Sequence, residues 1–418
     1  MGNRRGWKVG LAILVLALAV PVGGSSGAGA SSTQAPTEAS PAPTEGAGTW
    51  KQVSAGYYHT CGIRTSGRLY CFGQDNRGQL GDGGATANSA VPVEVAGNAT
   101  DWKSVSAGSA VTCAIKTTGQ LFCWGWDQYG QVGNGPVTGD QTAPVQVGTA
   151  TDWKSVSAGL GETVCGRRAN KRIYCWGRDN NGQAGNGSTT FTDVTSPSAV
   201  GTNADWSSVS AGGYHVCGRR TNGRVYCWGD DQDGAVGDGG GVPGSDRSVP
   251  TQVSGNHADW TSASSGITHS CGRRSSGRLY CWGSDLSGAI GNGPPTDNTG
   301  VPAPVQVSGG ATDWRAVFAG SYVTCATKVN GRLYCWGDDN DGQNGTGSLA
   351  ASGRRSSPAQ VAGGATDWKN ATIGNLHACG LRSTSRLYCW GDGFFGQRGD
   401  GLSGQPGNTP QPTPVEVA

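Results

Sequence analysis

The chain has a single methionine and six phenylalanines in 418 residues, and only 14% of its residues are charged. Lysine and arginine number 31 against 29 aspartates and glutamates, a net charge of +2. So even a balance predicts no global field to draw in nucleic acid or anionic lipid. Long apolar runs are missing too, except Leu11 to Val22. At about a dozen residues that run falls short of the roughly 20 that a membrane-crossing helix needs. No cysteine follows it, which excludes a lipoprotein anchor. No two cysteines have the short spacing of a zinc knuckle. No nucleophile, base and acid stand at a spacing that would assemble a catalytic site. Neither metal, cofactor nor catalysis is expected.

What is abundant is Gly (74), Trp (15) and Cys (14). The cysteines fall into seven pairs of one spacing: Cys61 and Cys71, Cys113 and Cys123, Cys165 and Cys175, Cys217 and Cys227, Cys271 and Cys281, Cys325 and Cys335, Cys379 and Cys389. Successive first cysteines lie 52, 52, 52, 54, 54 and 54 residues apart. A fixed internal period of this length marks a repeat architecture rather than a set of separate domains. An even count at constant spacing implies disulfides formed in an oxidising compartment.

The N-terminus fits that compartment. Arg4, Arg5 and Lys8 precede the apolar run, and Ala28-Gly29-Ala30 follows as a small-residue cleavage site. Residues 1–30 are therefore read as a secretory signal, with a retained anchor as the alternative. Residues 31–49, rich in Pro, Ser, Thr and Ala, are read as a disordered spacer. The fold is expected over 50–418, and the protein outside the cell or in its envelope.

Within each repeat, two short runs such as Thr60–Arg64 and Arg68–Phe72 flank Thr65-Ser66-Gly67. Gly late in a three-residue connection signals a hairpin with a left-handed turn residue. That register sets Cys61 opposite Cys71, a separation a disulfide can close. A Trp-led strand precedes each hairpin, as in Trp50 to Gly56 or Trp102 to Gly108. A Pro-Val stretch follows, as at Pro92 to Val95, Pro144 to Val147 and Pro304 to Val307. Four short strands per repeat cannot bury both faces of a sheet alone, so neighbours must stack. The expectation is an all-β, seven-bladed propeller of four-stranded blades, each with one disulfide inside its hairpin, and a monomer. An open solenoid is the rival.

Three segments carry a family likeness: Ala55-Gly56-Tyr57-Tyr58-His59, Gly223-Arg224-Val225-Tyr226-Cys227-Trp228-Gly229, and Gly78-Gln79-Leu80-Gly81 with its counterpart Gly130-Gln131-Val132-Gly133. With the later Pro-x-x-Val, they resemble the regulator-of-chromosome-condensation repeat family from about Trp50 to Val417. The resemblance implies a propeller and, through the family's name, guanine-nucleotide exchange on a small GTPase. The paired cysteines are not part of the family's pattern. Phe72 stands where the pattern has Trp, and Val111 and Val323 stand where it has His.

Measured from the cysteines, two basic rows appear. One holds Arg64, Lys116, Arg168, Arg220, Arg274, Lys328 and Arg382; the other holds Arg68, Arg172, Arg224, Arg278, Arg332 and Arg386, with Gln120 as its exception. The hairpin register sets the rows face to face, and like charges so placed repel. Either they form a rim for an anionic partner, or they pair with Asp75, Asp127, Asp179, Asp231, Asp285 and Asp339, which recur four residues after the second cysteine. His59, His215, His269 and His377 are read as structural. Trp126, Tyr129, Phe394 and Phe395 interrupt the repeat average and are candidate anchors for a partner. Glu162 sits in the single-residue insertion of the third repeat. The functional expectation is a non-catalytic module that holds a protein or glycan through loops on one face. The alternatives are the exchange factor and a propeller hydrolase or lyase.

Overall fold

The computed structural model describes residues 48–418 other than 85, 189, 191, 241–245, 295–299 and 404–408. The expected signal, 1–30, and the expected spacer, 31–49 apart from Gly48 and Thr49, lie outside the described residues. Seven four-stranded antiparallel sheets follow one another, each built from four consecutive strands. In blade 1 the strands are Trp50–Ala55, His59–Arg64, Leu69–Gly73 and Ser89–Glu94. Blades 2 to 7 begin at Trp102, Trp153, Trp206, Trp260, Trp314 and Trp368. First strands of neighbouring blades touch one another, and that of blade 1 touches that of blade 7, so they form the inner wall of a closed ring. The ring closes by face-to-face packing. The first strand of blade 1 and the last of blade 7 (Gln411–Glu416) belong to different sheets, and Val417 packs beside Trp50.

The hairpin register is the expected one. Cys61 opposes Cys71, and every other pair does likewise. All seven disulfides are formed as the spacing implies: Cys61 with Cys71, Cys113 with Cys123, Cys165 with Cys175, Cys217 with Cys227, Cys271 with Cys281, Cys325 with Cys335, and Cys379 with Cys389. Their Cα–Cα separations are 4.0–4.1 Å. Gly67 adopts φ 84°, the left-handed conformation that closes the turn without a Cβ clash. Lys171 and Ser385 hold the same turn position at φ 60° and 63°.

Stacking, not pairing, joins the blades. Each disulfide sits in the core between its own blade and a neighbour, packed with tryptophans such as Trp102 and Trp124 beside Cys61 and Cys71. The indole N–H of Trp124 donates to the Gln79 carbonyl of the preceding blade at 3.1 Å. Trp176, Trp228, Trp282, Trp336 and Trp390 repeat the bond at their own junctions. Phe72 has no N–H to give, and the Gln397 carbonyl keeps only the Thr60 hydroxyl bond at 2.9 Å, which Thr112, Ser270 and Thr324 make beside the indole at their own junctions.

The four recurring histidines are also junction residues. Nε2 of His59 meets Thr112 Oγ of the next blade at 2.8 Å; His215 meets Ser270 at 2.7 Å, His269 meets Thr324 at 2.8 Å, and His377 meets Thr60 at 2.8 Å. Where the His position holds Val111, Thr163 or Val323, the facing residue is Val164, Val216 or Ala378. Polar faces polar and, with Thr163 as the exception, apolar faces apolar. Burial pushes the His59, His269 and His377 imidazoles down to about 3 and His215 to about 4, so each is neutral in the fold.

Candidate functional site

The blades present two ends to solvent. The turns between second and third strands share one end with the connectors between blades: Gly67 accepts from the Trp102 amide at 3.1 Å. The loops after the first and third strands share the other: Gln74 N–H reaches the Tyr58 carbonyl at 2.9 Å.

Both basic rows lie at the hairpin end. Each cation of the first row stacks on the Tyr or Phe ring of its third strand, 4.3–5.6 Å from the centroid. Six also bind the aspartate preceding the tryptophan: Lys116–Asp101 3.2 Å, Arg168–Asp152 2.5 Å, Arg220–Asp205 3.5 Å, Arg274–Asp259 2.9 Å, Lys328–Asp313 3.0 Å and Arg382–Asp367 2.6 Å. In blade 1 Thr49 stands in place of the aspartate, and Arg64 Nε and Nη1 are buried with no acceptor among the described residues. The second row leans the other way, onto the fourth strand. Arg68 binds Glu94 at 2.9 Å and Arg386 binds Glu416 at 2.5 Å. Arg224 and Arg332 reach Gln252 and Gln360 at 3.2 and 3.5 Å, and Arg172 donates to the Thr202 carbonyl. Arg278 is exposed. Opposed cations thus part to opposite neighbours, which relieves the repulsion their register implies.

The aspartates expected as their partners are elsewhere. Asp75, Asp127, Asp179, Asp231, Asp285 and Asp339 are buried at the loop end. There each accepts from the backbone N–H five residues on, Asp75 from Leu80 at 2.8 Å, pinning the Gly-Gln-x-Gly turn. Burial raises the Asp75 and Asp179 carboxyls to about 6. Blade 7 inverts the arrangement. Gly393 replaces the aspartate, and the buried Arg398, paired with Asp400 at 2.8 Å, fills the space beside it.

A third cationic row escaped the cysteine-based alignment. In every blade the residue after the leading tryptophan is bulged out of the ladder, and a bulge re-aims a side chain. That residue is Lys51, Lys103, Lys154, Arg315 or Lys369 in five blades, each exposed. In blades 4 and 5 it is Ser207 or Thr261, and the guanidinium of Arg219 or Arg273 reaches that hydroxyl at 3.0 Å. Every blade therefore carries a cation at this place. Measuring from the tryptophans would have shown five of the seven.

Among the described residues, only Arg77, Arg178, Arg247, Arg354, Arg355 and Arg398 lie at the loop end; all other cations are at the hairpin end. The hairpin end has only Glu94, Glu416 and the six aspartates named above as carboxylates, all of them ion-paired. The near-neutral total is thus the sum of a basic end and an acidic end. The inference that no field exists does not survive this segregation.

At the loop end, Ser54, Ser106, Ser157, Ser210, Ser264 and Thr372 line the channel mouth, a cavity of about 170 Å³. Each hydroxyl accepts a backbone N–H from the next blade at 2.9–3.0 Å, and Phe318 takes the seventh position. Around the mouth the two aromatic pairs differ. Trp126 and Tyr129 are edge to face at 5.3 Å, and Arg77 and Arg178 cover them at 5.3 and 5.0 Å. Arg178 is held by Glu162 at 3.1 Å, so the insertion residue locks this pair from blade 3. The other set is open. Tyr57, Tyr58, Phe395 and Phe394 form a continuous strip across the junction of blades 1 and 7, with centroid steps of 4.7, 5.1 and 5.0 Å. Phe394, at its outer end, is 58% exposed. Asn375 donates to the Tyr58 hydroxyl at 3.2 Å. Asp341 and Asp392 lie close enough to Tyr58 to raise its pKa, after burial as the main cause. Burial, then Asp392 and Asp338, raise Asp341 as well. The Tyr57 phenol is pushed up to about 12 by burial and by Tyr58, Tyr322, Tyr214 and Glu162 around it.

Fold and faces together define a disulfide-stapled seven-bladed propeller with a basic hairpin end and an acidic, aromatic loop end. The chain belongs to the regulator of chromosome condensation (RCC1) repeat family. One profile of that repeat matches residues 50–79, 102–131, 153–183, 206–235, 260–289, 314–343 and 369–397. A second matches 66–115, 118–165, 171–218, 222–272 and 276–327. The chain is similar to the ultraviolet-B receptor UVR8 of Arabidopsis thaliana, 28% identical over 366 residues, covering 84% of this chain and 79% of the receptor. It is 25% identical over 343 residues to the Homo sapiens E3 ubiquitin-protein ligase HERC2, covering 81% of this chain but only 7% of the ligase. Human WBSCR16 shares the fold at TM-score 0.70 and 19% identity, over 81% of this chain and 88% of that one. Yeast RCC1 (Prp20), solved bound to Kap60, shares it at 0.65 and 19%, over 78% of each.

Proposed function

We propose that this chain is a secreted, non-catalytic binding propeller that holds a protein partner on its loop end. The carrying observation is the strip Tyr57–Tyr58–Phe395–Phe394, the loop-end aromatic path that no arginine covers. Aromatic side chains on rigid supports supply most of the binding energy at protein interfaces. Here the edge-to-face packing of Tyr57 on Tyr58 and of Phe394 on Phe395 fixes the rings before any partner arrives. In each such pair the edge of one ring occupies a face of the other, which leaves fewer open faces for a glycan to stack on. The signal expected at 1–30 and the seven disulfides support export, and the solved complex of yeast RCC1 with Kap60 shows a propeller of this fold holding a protein.

The test is affinity capture from the native extracellular fraction with the parent ring and with Phe394→Ser. Phe394 is exposed enough that the variant should keep the parent melting temperature. Losing one aromatic anchor should weaken the captured complex by at least about tenfold. Undiminished capture by the variant contradicts the reading.

A further inference from the structure

The third cationic row has no intramolecular role. No hydrogen bond or ion pair engages the side chains of Lys51, Lys103, Lys154, Arg315 and Lys369 among the described residues, and the same bulge aims all five. Arg219 and Arg273 complete the circle with hydrogen bonds to neutral oxygens only, the Trp260 and Trp314 carbonyls at 2.5 Å and the Ser207 and Thr261 hydroxyls at 3.0 Å. Every described carboxylate of this end is already paired with a cation of the other two rows. Arg167 holds in blade 3 the place of Arg219 and Arg273, so eight charges, at least one per blade, encircle the inner rim with no carboxylate partner among the described residues.

We propose that the hairpin end lies flat on an anionic phospholipid surface. Three features select that occupant. Five of the cations belong to first strands and Arg167, Arg219 and Arg273 to the second strands beside them, so together they ring the axis. The hairpin turns outside them have equal length in all seven blades, which keeps that rim level. Val329 is the lone large apolar residue exposed in those turns, so contact is electrostatic and not by insertion. In that pose the aromatic strip points away from the lipid.

The ring closes within residues 48–418, with all its core supplied there, so that segment serves for the test. Co-sedimentation with phosphatidylcholine vesicles, with and without phosphatidylglycerol, is measured at low and high salt. The parent should bind only the anionic vesicles and should release as salt rises. The variant Lys51→Ser, Lys103→Ser, Lys154→Ser, Lys369→Ser adopts the residue that blade 4 already has at this place. It should keep the parent melting temperature and bind at least about 100-fold more weakly, given the contribution of each basic side chain at an anionic surface. The corresponding Lys→Arg variant should bind like the parent. Equal binding to both vesicle types, or parent-like binding by the Ser variant, overturns the proposal. So does capture of a soluble acidic polymer, or of a second copy's acidic loop end, without vesicle binding.

Discussion

The junction histidines show how one residue pair can decide whether two blades fit. His59 is fully buried and neutral, its Nε2 facing Thr112 and its Nδ1 without a partner. Removing the hydroxyl with Thr112→Val strands a second ring nitrogen, at a cost of about 1–3 kcal/mol. The double variant His59→Val, Thr112→Val reproduces the Val111–Val164 junction and should cost less than the two single changes combined. Chemical denaturation of the four proteins reads the coupling directly; strict additivity would refute it. The same histidine governs acid response. Its folded pKa, about 3, lies below the unfolded value near 6.5. The unfolded chain therefore gains a proton first as pH falls, and stability drops from about pH 6.5 downward until the folded pKa is reached. Deleting one such histidine in the double variant should flatten that loss by about 1.4 kcal/mol per pH unit in this window. Raised carboxyls such as Asp75 oppose the trend in both proteins, and so cancel in the comparison.

At the level of the strand pair, the hairpin was the most legible element. Its turn, register and disulfide all follow from Cys-x9-Cys with Gly before the second run, because antiparallel pairing is local in sequence. Turns of blades 3 and 7 depart from the rule, with Lys171 and Ser385 at left-handed φ. Lys171→Gly should stabilise the ring by about 0.5–1 kcal/mol by removing the Cβ clash, less the entropy Gly loses on folding. A melting temperature that falls instead would place the strain elsewhere. Less legible was where the charges go. The first basic row pairs with the aspartate before the tryptophan because the first strand lies antiparallel beside the second, setting Trp102 against Lys116. That partner lies 15 or 16 residues upstream, as in Arg274 and Asp259 or Arg168 and Asp152, and is invisible to a search downstream of the cysteines. The aspartates found there are the partners that the sequence offers for those cations. Their burial follows from blade stacking, which local pattern does not encode. The bulged cations were hidden for a related reason. A bulge changes side-chain direction without changing composition, and in blades 4 and 5 the charge arrives from a different strand.

As a whole molecule, the ring separates stability from recognition. Buried tryptophans, disulfides and junction hydrogen bonds repeat around the axis, while the features that break symmetry gather on the ends. Blade number could be read from the period, and the propeller, with an open solenoid as its rival, from four strands per repeat. The segregation of charge could not, since net charge sums over faces that only folding distinguishes. The central claim is that the loop end, across blades 1 and 7, is where a partner docks. Hydrogen–deuterium exchange on the natively captured complex tests it most directly. The account predicts new protection in the loops around Tyr57–Tyr58 and Phe394–Phe395, with the hairpin turns unchanged. Protection confined to the hairpin turns, or none at the aromatic strip, would contradict it.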